Sequence, residues 1–126
     1  MIATILYIED NCENRLLVRR VLEAEGYRVI EAEDGLAGMD YVQSETPDLV
    51  LMDINLPELD GYEVTKRLKQ SPAMAEVPVI AMTANVMKGD REKTIAAGCD
   101  GYIPKPIDID SLPSQIAKFL RKKNGQ

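Results

Sequence analysis

The chain has 126 residues, of which 45% are hydrophobic and 29% charged, a balance typical of one soluble globular domain. Its formal charge of −6 argues against a nucleic-acid-binding protein, which normally carries a basic face, and no apolar stretch is long enough to span a membrane. The absence of histidine excludes histidine metal ligands, histidine general bases and a histidine phosphocarrier within this chain.

Apolar runs and helical patterns alternate along the chain. Short β-branched runs predict strands, and apolar residues recurring every three or four positions predict helices. Continuous apolar strands between helices imply a parallel sheet covered on both faces, so the pattern predicts an α/β domain. In chain order the predicted elements are a strand at 2–8, a helix at 11–25, a strand at 28–32, a helix at 36–44, a strand at 49–52, a helix at 62–70, a strand at 79–82, a helix at 85–97, a strand at 101–103 and a helix at 111–122.

Two of these helices carry patterns that the structure can test. In the first, Leu17 recurs with Val21 and Ala24 at helical spacing, and Val18 and Leu22 lie beside them. In the fourth, Met87 and Ile95 form only a thin apolar stripe, and Gly89 lies in the interior at a cost of roughly 1 kcal/mol against alanine. We therefore expect a marginal fourth helix that is able to move.

Polar residues follow all five predicted strands, and those after the second, Glu33 and Asp34, are expected at the periphery of the sheet. The first strand leads to Glu9 and Asp10, the third to Asp53, the fourth to Thr83, and the fifth, within two residues, to Lys105. The C-terminal ends of parallel strands lie on one edge of the sheet, where open α/β sheets bind their ligands. We therefore expect three carboxylates, a hydroxyl and an ammonium group to converge on one site.

Such a cluster has the chemistry of phosphoryl transfer to a carboxylate. Three neighbouring carboxylates repel one another, and a divalent cation removes that penalty. A ligand set of oxygens alone, with few carboxylates, suits Mg²⁺. An aspartate beside a metal and a lysine combines a nucleophile with two positive groups for the phosphoryl oxygens. Asp53, which directly follows an apolar run, is the predicted nucleophile.

Four segments, in this order and spacing, resemble the receiver domain of bacterial two-component response regulators: YIEDN at 7–11, LVLMDINLPELDG at 49–61, VIAMTAN at 79–85 and GYIPKPI at 101–107. The resemblance covers essentially the whole chain. It implies a flavodoxin-like (βα)5 fold, a doubly wound parallel sheet of five strands in the order 2-1-3-4-5. We expect a receiver domain over residues 1–122 and a short tail over 123–126.

The resemblance also implies a metal site and a phosphoacceptor. Asp53 is the expected phosphoacceptor and, with Asp10, a direct ligand of Mg²⁺. Glu9 is expected to act on the metal through water. Asn55 is expected to offer its backbone carbonyl to the same ion.

Further residues are expected to bind the phosphoryl group or to change conformation when it is bound. Thr83 is expected to donate a hydrogen bond to the phosphoryl group, and Lys105 to pair with it as a point charge. The Lys105–Pro106 peptide bond is expected to be cis. Tyr102 stands at the position of the switch aromatic of the family, which turns inward when the threonine moves.

The implied function is that of a signalling switch, with no catalysis beyond its own phosphorylation and slow autodephosphorylation. A histidine kinase or a histidine phosphotransfer protein is the expected donor. The face of the fourth helix, fifth strand and fifth helix is expected to bind a downstream protein, and neither nucleic acid nor membrane is expected as a partner. The two cysteines, without a secretion signal, predict a cytoplasmic protein with reduced thiols.

Several alternatives remain open at the level of sequence. Taken singly, Asp10 reads as a helix cap and Lys105 as a solvated charge. A phosphohydrolase of the haloacid dehalogenase type would need a second aspartate where Asn55 stands. A docking scaffold that is never phosphorylated would typically lack some of the acidic residues or the lysine. The start of the chain on its first strand favours a stand-alone receiver over a fragment of a hybrid histidine kinase.

Overall fold

The structure, a computed structural model, describes residues 2–54, 56, 60–83 and 90–123. Its strands are β1 (Thr4–Ile8), β2 (Arg28–Ala32), β3 (Leu49–Asp53), β4 (Val79–Thr83) and β5 (Gly101–Pro104). Its helices are α1 (Cys12–Ala24), α2 (Gly35–Ser44), α3 (Gly61–Lys69), α4 (Asp90–Ala96) and α5 (Leu112–Lys123), with a short 3-10 helix at Pro72–Met74. All strand pairs are parallel and their order is β2-β1-β3-β4-β5, so the predicted fold is confirmed.

The sheet separates two apolar layers. Along β1, Ile5 and Tyr7 face the layer beneath α1 and α5, whereas Leu6 and Ile8 face the layer beneath α2 and α3. This alternation follows from the two-residue period of a strand. Every residue of β3 and β4 is buried, as expected for central parallel strands covered by helices on both faces. Asp53 and Thr83 end these two strands.

Side-chain caps start three of the helices, two of them within three residues of the end of the preceding strand. Asn11 accepts a hydrogen bond from the backbone of Asn14 at 2.9 Å, and Asp34 accepts one from Ala37 at 2.8 Å. Asp60 caps α3 in the same manner through the backbone N–H of Tyr62. These caps satisfy N–H groups that a helix start leaves without an intrahelical partner. They fix short connections at the C-terminal edge of the sheet, where the site lies.

Two helix faces differ from the sequence prediction. In α1, Val18 and Leu22 are fully buried, whereas Leu17 is 44% exposed. In α4, Ile95 is 65% exposed, and Thr94 faces inward instead. Met87 and Gly89, on which the expected mobility of this helix partly rested, lie outside the described residues. Within the described part of the chain, no helix has the length and apolar character needed to cross a membrane.

Gly61, the first residue of α3, lies against the backbone that carries Asp53. Its N–H donates to the carbonyl of Ile54 at 3.2 Å. A Cβ atom at this position would lie 2.7 Å from Ile54 Cα and 2.8 Å from the Asp53 carbonyl oxygen. Both neighbours are backbone atoms, which cannot yield as a flexible side chain can. Close packing of α3 on the end of β3 therefore requires glycine here.

Gly61→Ala is expected to lower the free energy of unfolding by about 1–3 kcal/mol, the usual range for overpacking. It should also change the NMR shifts of the Asp53 and Ile54 amides, because the strand end must move. Gly26→Ala is the control: Gly26 has φ +93° and open space around its Cβ position, so only backbone strain of about 1–2 kcal/mol is expected there. Urea unfolding and amide spectra measure both variants. Wild-type amide shifts at Asp53 and Ile54 in Gly61→Ala would contradict the prediction.

Candidate functional site

Three acidic side chains meet at the C-terminal edge of the sheet. Asp53 ends β3, and Glu9 and Asp10 directly follow the neighbouring strand β1. One carboxylate oxygen from each lies within 4.8 Å of the others. Glu9 and Asp53 are buried, whereas Asp10 is exposed at the mouth of the cluster. We call these three residues the acidic pocket.

Lys105 brings a positive charge to both buried acids. Its Nζ lies 3.1 Å from Asp53 Oδ1 and 3.6 Å from Glu9 Oε1. Its backbone N–H donates to the carbonyl of Thr83 at 2.8 Å, which holds the segment after β5 against the end of β4. The Lys105–Pro106 peptide bond is cis. The ammonium group of Lys105 is thus shared by two carboxylates, and counted over these described side chains with Asp10 the carboxylates outnumber it.

Glu9 has further donors that sequence reasoning missed. Its Oε1 accepts a hydrogen bond from the hydroxyl of Tyr7 at 3.1 Å and a longer one from the Asn14 amide at 3.5 Å. Its Oε2 accepts the backbone N–H of Asn11 at 3.4 Å. The Arg15 guanidinium donates to its backbone carbonyl at 2.7 Å. Glu9 is therefore held at both its side chain and its backbone.

The sequence does contain a signal for Tyr7. It is an aromatic residue in an otherwise aliphatic strand, two positions before Glu9, and alternate residues of a strand share a face. No comparable signal exists for Arg15, because its partner is a backbone carbonyl whose position depends on the turn between β1 and α1.

Burial and neighbouring charge shift the pKa values of two groups in and beside the pocket. Burial, followed by the hydrogen bond and negative charge of Asp53, raises the pKa of Glu9 to about 7, although Lys105 opposes the shift. Burial, followed by the charge of Glu9, also raises the pKa of Tyr7 above its ordinary value. Both shifts have the same physical origin, because a poorly solvated region that already holds a negative charge disfavours the ionised form of Glu9 and of Tyr7.

The donor set of the pocket fits a hard divalent cation. All three candidate ligands are carboxylates, with no sulfur or nitrogen donor, and their oxygens are close enough to share one ion. The exposed carboxylate of Asp10 leaves the cluster open to solvent on that side. Asn55, whose backbone carbonyl was expected to complete the site, lies outside the described residues.

The other predicted residues are placed as follows. Thr83 is buried at the end of β4, opposite Pro104 in the strand register. Tyr102 lies on β5 opposite Ala81 and is 38% exposed. The structure thus gathers Glu9, Asp10, Asp53 and Lys105 directly. It joins Thr83 to Lys105 through the backbone and leaves Tyr102 at the surface of the edge strand.

The comparisons with known proteins agree on one family. The model of the response regulator receiver domain family matches residues 5–117. The polar-differentiation response regulator DivK of Brucella ovis is 43% identical over 120 residues, covering 95% of this chain and 98% of the relative. DivK of Brucella anthropi is 44% identical over 117 residues, covering 93% and 95% of the two chains.

Two solved structures are similar to the whole fold. The receiver domain of the sensor histidine kinase PA1611 of Pseudomonas aeruginosa, which has a magnesium ion in its active-site cleft, is 34% identical with a TM-score of 0.88. The alignment covers 96% of this chain and 99% of that chain. The chemotaxis response regulator CheY4 of Vibrio cholerae has a TM-score of 0.90 over 94% of this chain and 99% of its own. At 24% identity it supports the fold alone.

The charge excess leads to a prediction for the metal-free protein. At pH 8, above the raised pKa of Glu9, the four groups of Glu9, Asp10, Asp53 and Lys105 carry a formal charge of −2, from three carboxylates and one ammonium. Asp53→Asn reduces it to −1 and leaves Lys105 beside Glu9, so we expect this variant to be more stable than the wild type by about 1 kcal/mol, a common size for the effect of one substitution. Urea unfolding in the presence of a chelator measures the difference.

Asp34→Asn is the matched control for that experiment. Asp34 lies at the same edge of the sheet but only caps α2, and asparagine caps a helix about as well. Its stability should stay close to that of the wild type. If Asp53→Asn unfolds at lower urea concentration than the wild type, the attraction between Asp53 and Lys105 exceeds the repulsion among the acids, contrary to the prediction.

Proposed function

The chain belongs to the response regulator receiver domain family of two-component signalling, and on this premise we propose that Asp53 accepts a phosphoryl group in a Mg²⁺-dependent reaction. The observation that carries the proposal is the position of its carboxylate. Asp53 Oδ1 lies 3.1 Å from the Lys105 ammonium, and the other two acids of the pocket are close enough to share a cation with it.

The donor in this proposal is a phosphohistidine of another protein, a histidine kinase or a histidine phosphotransfer protein, because this chain has no histidine. A carboxylate oxygen of Asp53 attacks phosphorus as the phosphorus–nitrogen bond breaks, and the electron pair of that bond leaves with the imidazole. The product is an aspartyl phosphate on Asp53. The same groups act in its slow hydrolysis.

Each residue of the site has a defined task in this transfer. Asp10 and Asp53 bind Mg²⁺, and Glu9 supports it through water. The ion, when bound, neutralises charge on the transferred phosphoryl oxygens. Lys105 supplies the second positive group by turning from the carboxylates to a phosphoryl oxygen. The Thr83 hydroxyl, at the end of the adjacent strand, donates to another one.

The output in this proposal is a change in the face formed by α4, β5 and α5. Thr83 moves toward the phosphoryl group, and Tyr102, half-exposed beside it on β5, turns into the space that is vacated. Phosphorylation then acts as a ligand that favours one of two pre-existing states. Ile95 and Tyr102 are exposed apolar side chains on this face, which fits the binding of a downstream protein.

The wider setting of the proposal is a cytoplasmic switch. Cys12 and Cys99 are free thiols, the state that a reducing compartment maintains. The net charge of −6 disfavours nucleic acid as a partner. Both lines of argument fit a receiver whose input and output are proteins.

The proposal is tested by incubating the protein with acetyl phosphate and Mg²⁺ and measuring its intact mass. We expect the wild type to gain one phosphoryl group, because acetyl phosphate replaces the protein donor, and Asp53→Asn to gain none. Asp34→Asn, a carboxylate-to-amide change outside the pocket, should be labelled like the wild type. A wild type that is not labelled, or an Asp53→Asn protein labelled at the same rate, would overturn the proposal.

A further inference from the structure

Tyr7 is a fully buried tyrosine whose hydroxyl reaches the acidic pocket from below. Its ring lies in the apolar layer between the sheet and helices α1 and α5. On the neighbouring strand β3, its register partner is Leu51. Tyr7 and Leu51 each come two residues before an acid of the pocket, Glu9 and Asp53, so all four residues lie on the same face of the sheet. Its hydroxyl donates to Glu9 Oε1 at 3.1 Å.

The same oxygen of Glu9 has two other contacts, an ion pair with Lys105 and a hydrogen bond from Asn14, and both are longer than the bond from Tyr7. Lys105 Nζ lies 3.6 Å away and is shared with Asp53, whose oxygen is closer at 3.1 Å. The Asn14 amide lies 3.5 Å away. The Tyr7 bond is the shortest of the three, and the ring that carries it is packed in the core, where side chains are held in place.

We propose that the hydroxyl of Tyr7 is a positioning group for Glu9, keeping this carboxylate aimed into the acidic pocket when Lys105 turns to the phosphoryl group. The inference rests on the proposed function, in which Lys105 changes partners and Glu9 supports Mg²⁺. A buried carboxylate that loses a charged partner is left with part of its desolvation uncompensated. The Tyr7 hydroxyl, already bonded to Glu9 in this structure, remains as a donor when Lys105 leaves and does not have to move.

The alternative to a positioning role is a purely structural one, in which the buried hydroxyl only needs some hydrogen-bond acceptor. The identity of the acceptor distinguishes these two roles. Buried phenols need a partner of some kind. Here the partner is the side chain of a candidate metal-site residue, and the bond is charge-assisted, a class stronger than neutral hydrogen bonds. If the role is positioning, removal of the hydroxyl must affect cation binding and must do so through Glu9.

The test is a double-mutant cycle on the full chain with Mg²⁺ as the probe. Tyr7→Phe removes one oxygen atom and leaves the ring, and we expect the dissociation constant for Mg²⁺ measured by calorimetry to rise about tenfold. In a Glu9→Gln background the same change should have no further effect, because the charged acceptor is gone. Tyr41→Phe, on the opposite face of the sheet, is the matched control and should bind Mg²⁺ like the wild type.

A second measurement needs no variant. The Tyr7 hydroxyl proton is buried and bonded to a carboxylate, so it should be protected from solvent exchange and observable by NMR in the wild type. It should remain bonded when Mg²⁺ and beryllium fluoride, a mimic of the phosphoryl group, are added. Loss of this signal on their addition would overturn the inference.

The other outcomes separate the inference from the proposed function. Wild-type Mg²⁺ affinity in Tyr7→Phe, or an equal loss in the Glu9→Gln background, would overturn the role of Tyr7 and leave the proposed function standing. A wild type that binds no Mg²⁺ at millimolar concentration would overturn both. Urea unfolding of each variant distinguishes a loss of affinity from a loss of folded protein.

Discussion

The buried charge of Asp53 is the constraint on which the rest of this structure depends. Placing an ionised carboxylate where only 2% of the residue is exposed costs several kcal/mol unless another charge compensates it. Lys105, at 3.1 Å, supplies that charge from the segment that follows the edge strand β5. Its position depends in turn on the backbone bond between Lys105 and Thr83, which joins the ends of β4 and β5. Among the described residues, the ion pair of Asp53 with Lys105 thus links the ends of β3 and β5 at this edge of the sheet.

The sharing of one ammonium group by two buried carboxylates links the stability of the fold to the proposed function. One ammonium group serves two buried carboxylates, and the pKa of Glu9 rises to about 7 because burial and Asp53 disfavour its charge. A fold selected for stability alone would replace one of these acids by a neutral residue. Retaining them leaves a cluster of carboxylates whose oxygens are close enough to share a cation. Tyr7 and Arg15 also hold Glu9 in place, Tyr7 through a hydrogen bond to its carboxylate and Arg15 through one to its backbone carbonyl.

The sequence was sufficient for the fold and for the convergence of Glu9, Asp10, Asp53 and Lys105, because parallel strands must end at one edge. It was insufficient where one pattern of residues is compatible with more than one arrangement of buried and exposed side chains. Leu17 and Val18 are adjacent apolar residues of α1, and only the docking of the helix on the sheet decides that Val18 is buried. Ile95 was expected in an apolar stripe but faces solvent. The contact between Tyr7 and Glu9 depends on side-chain reach along one strand face, a quantity that residue type alone does not give.

The most direct test of this account is the stability of the wild-type protein as a function of Mg²⁺ concentration. A ligand that binds only the folded state raises the free energy of unfolding by RT ln(1 + [L]/Kd), which is about 2.7 kcal/mol at one hundred times the Kd. We predict this increase for Mg²⁺ in urea unfolding and a much smaller one for NaCl at the same ionic strength. Equal effects of the two salts would show that the acidic pocket does not bind a cation specifically, and would contradict the account.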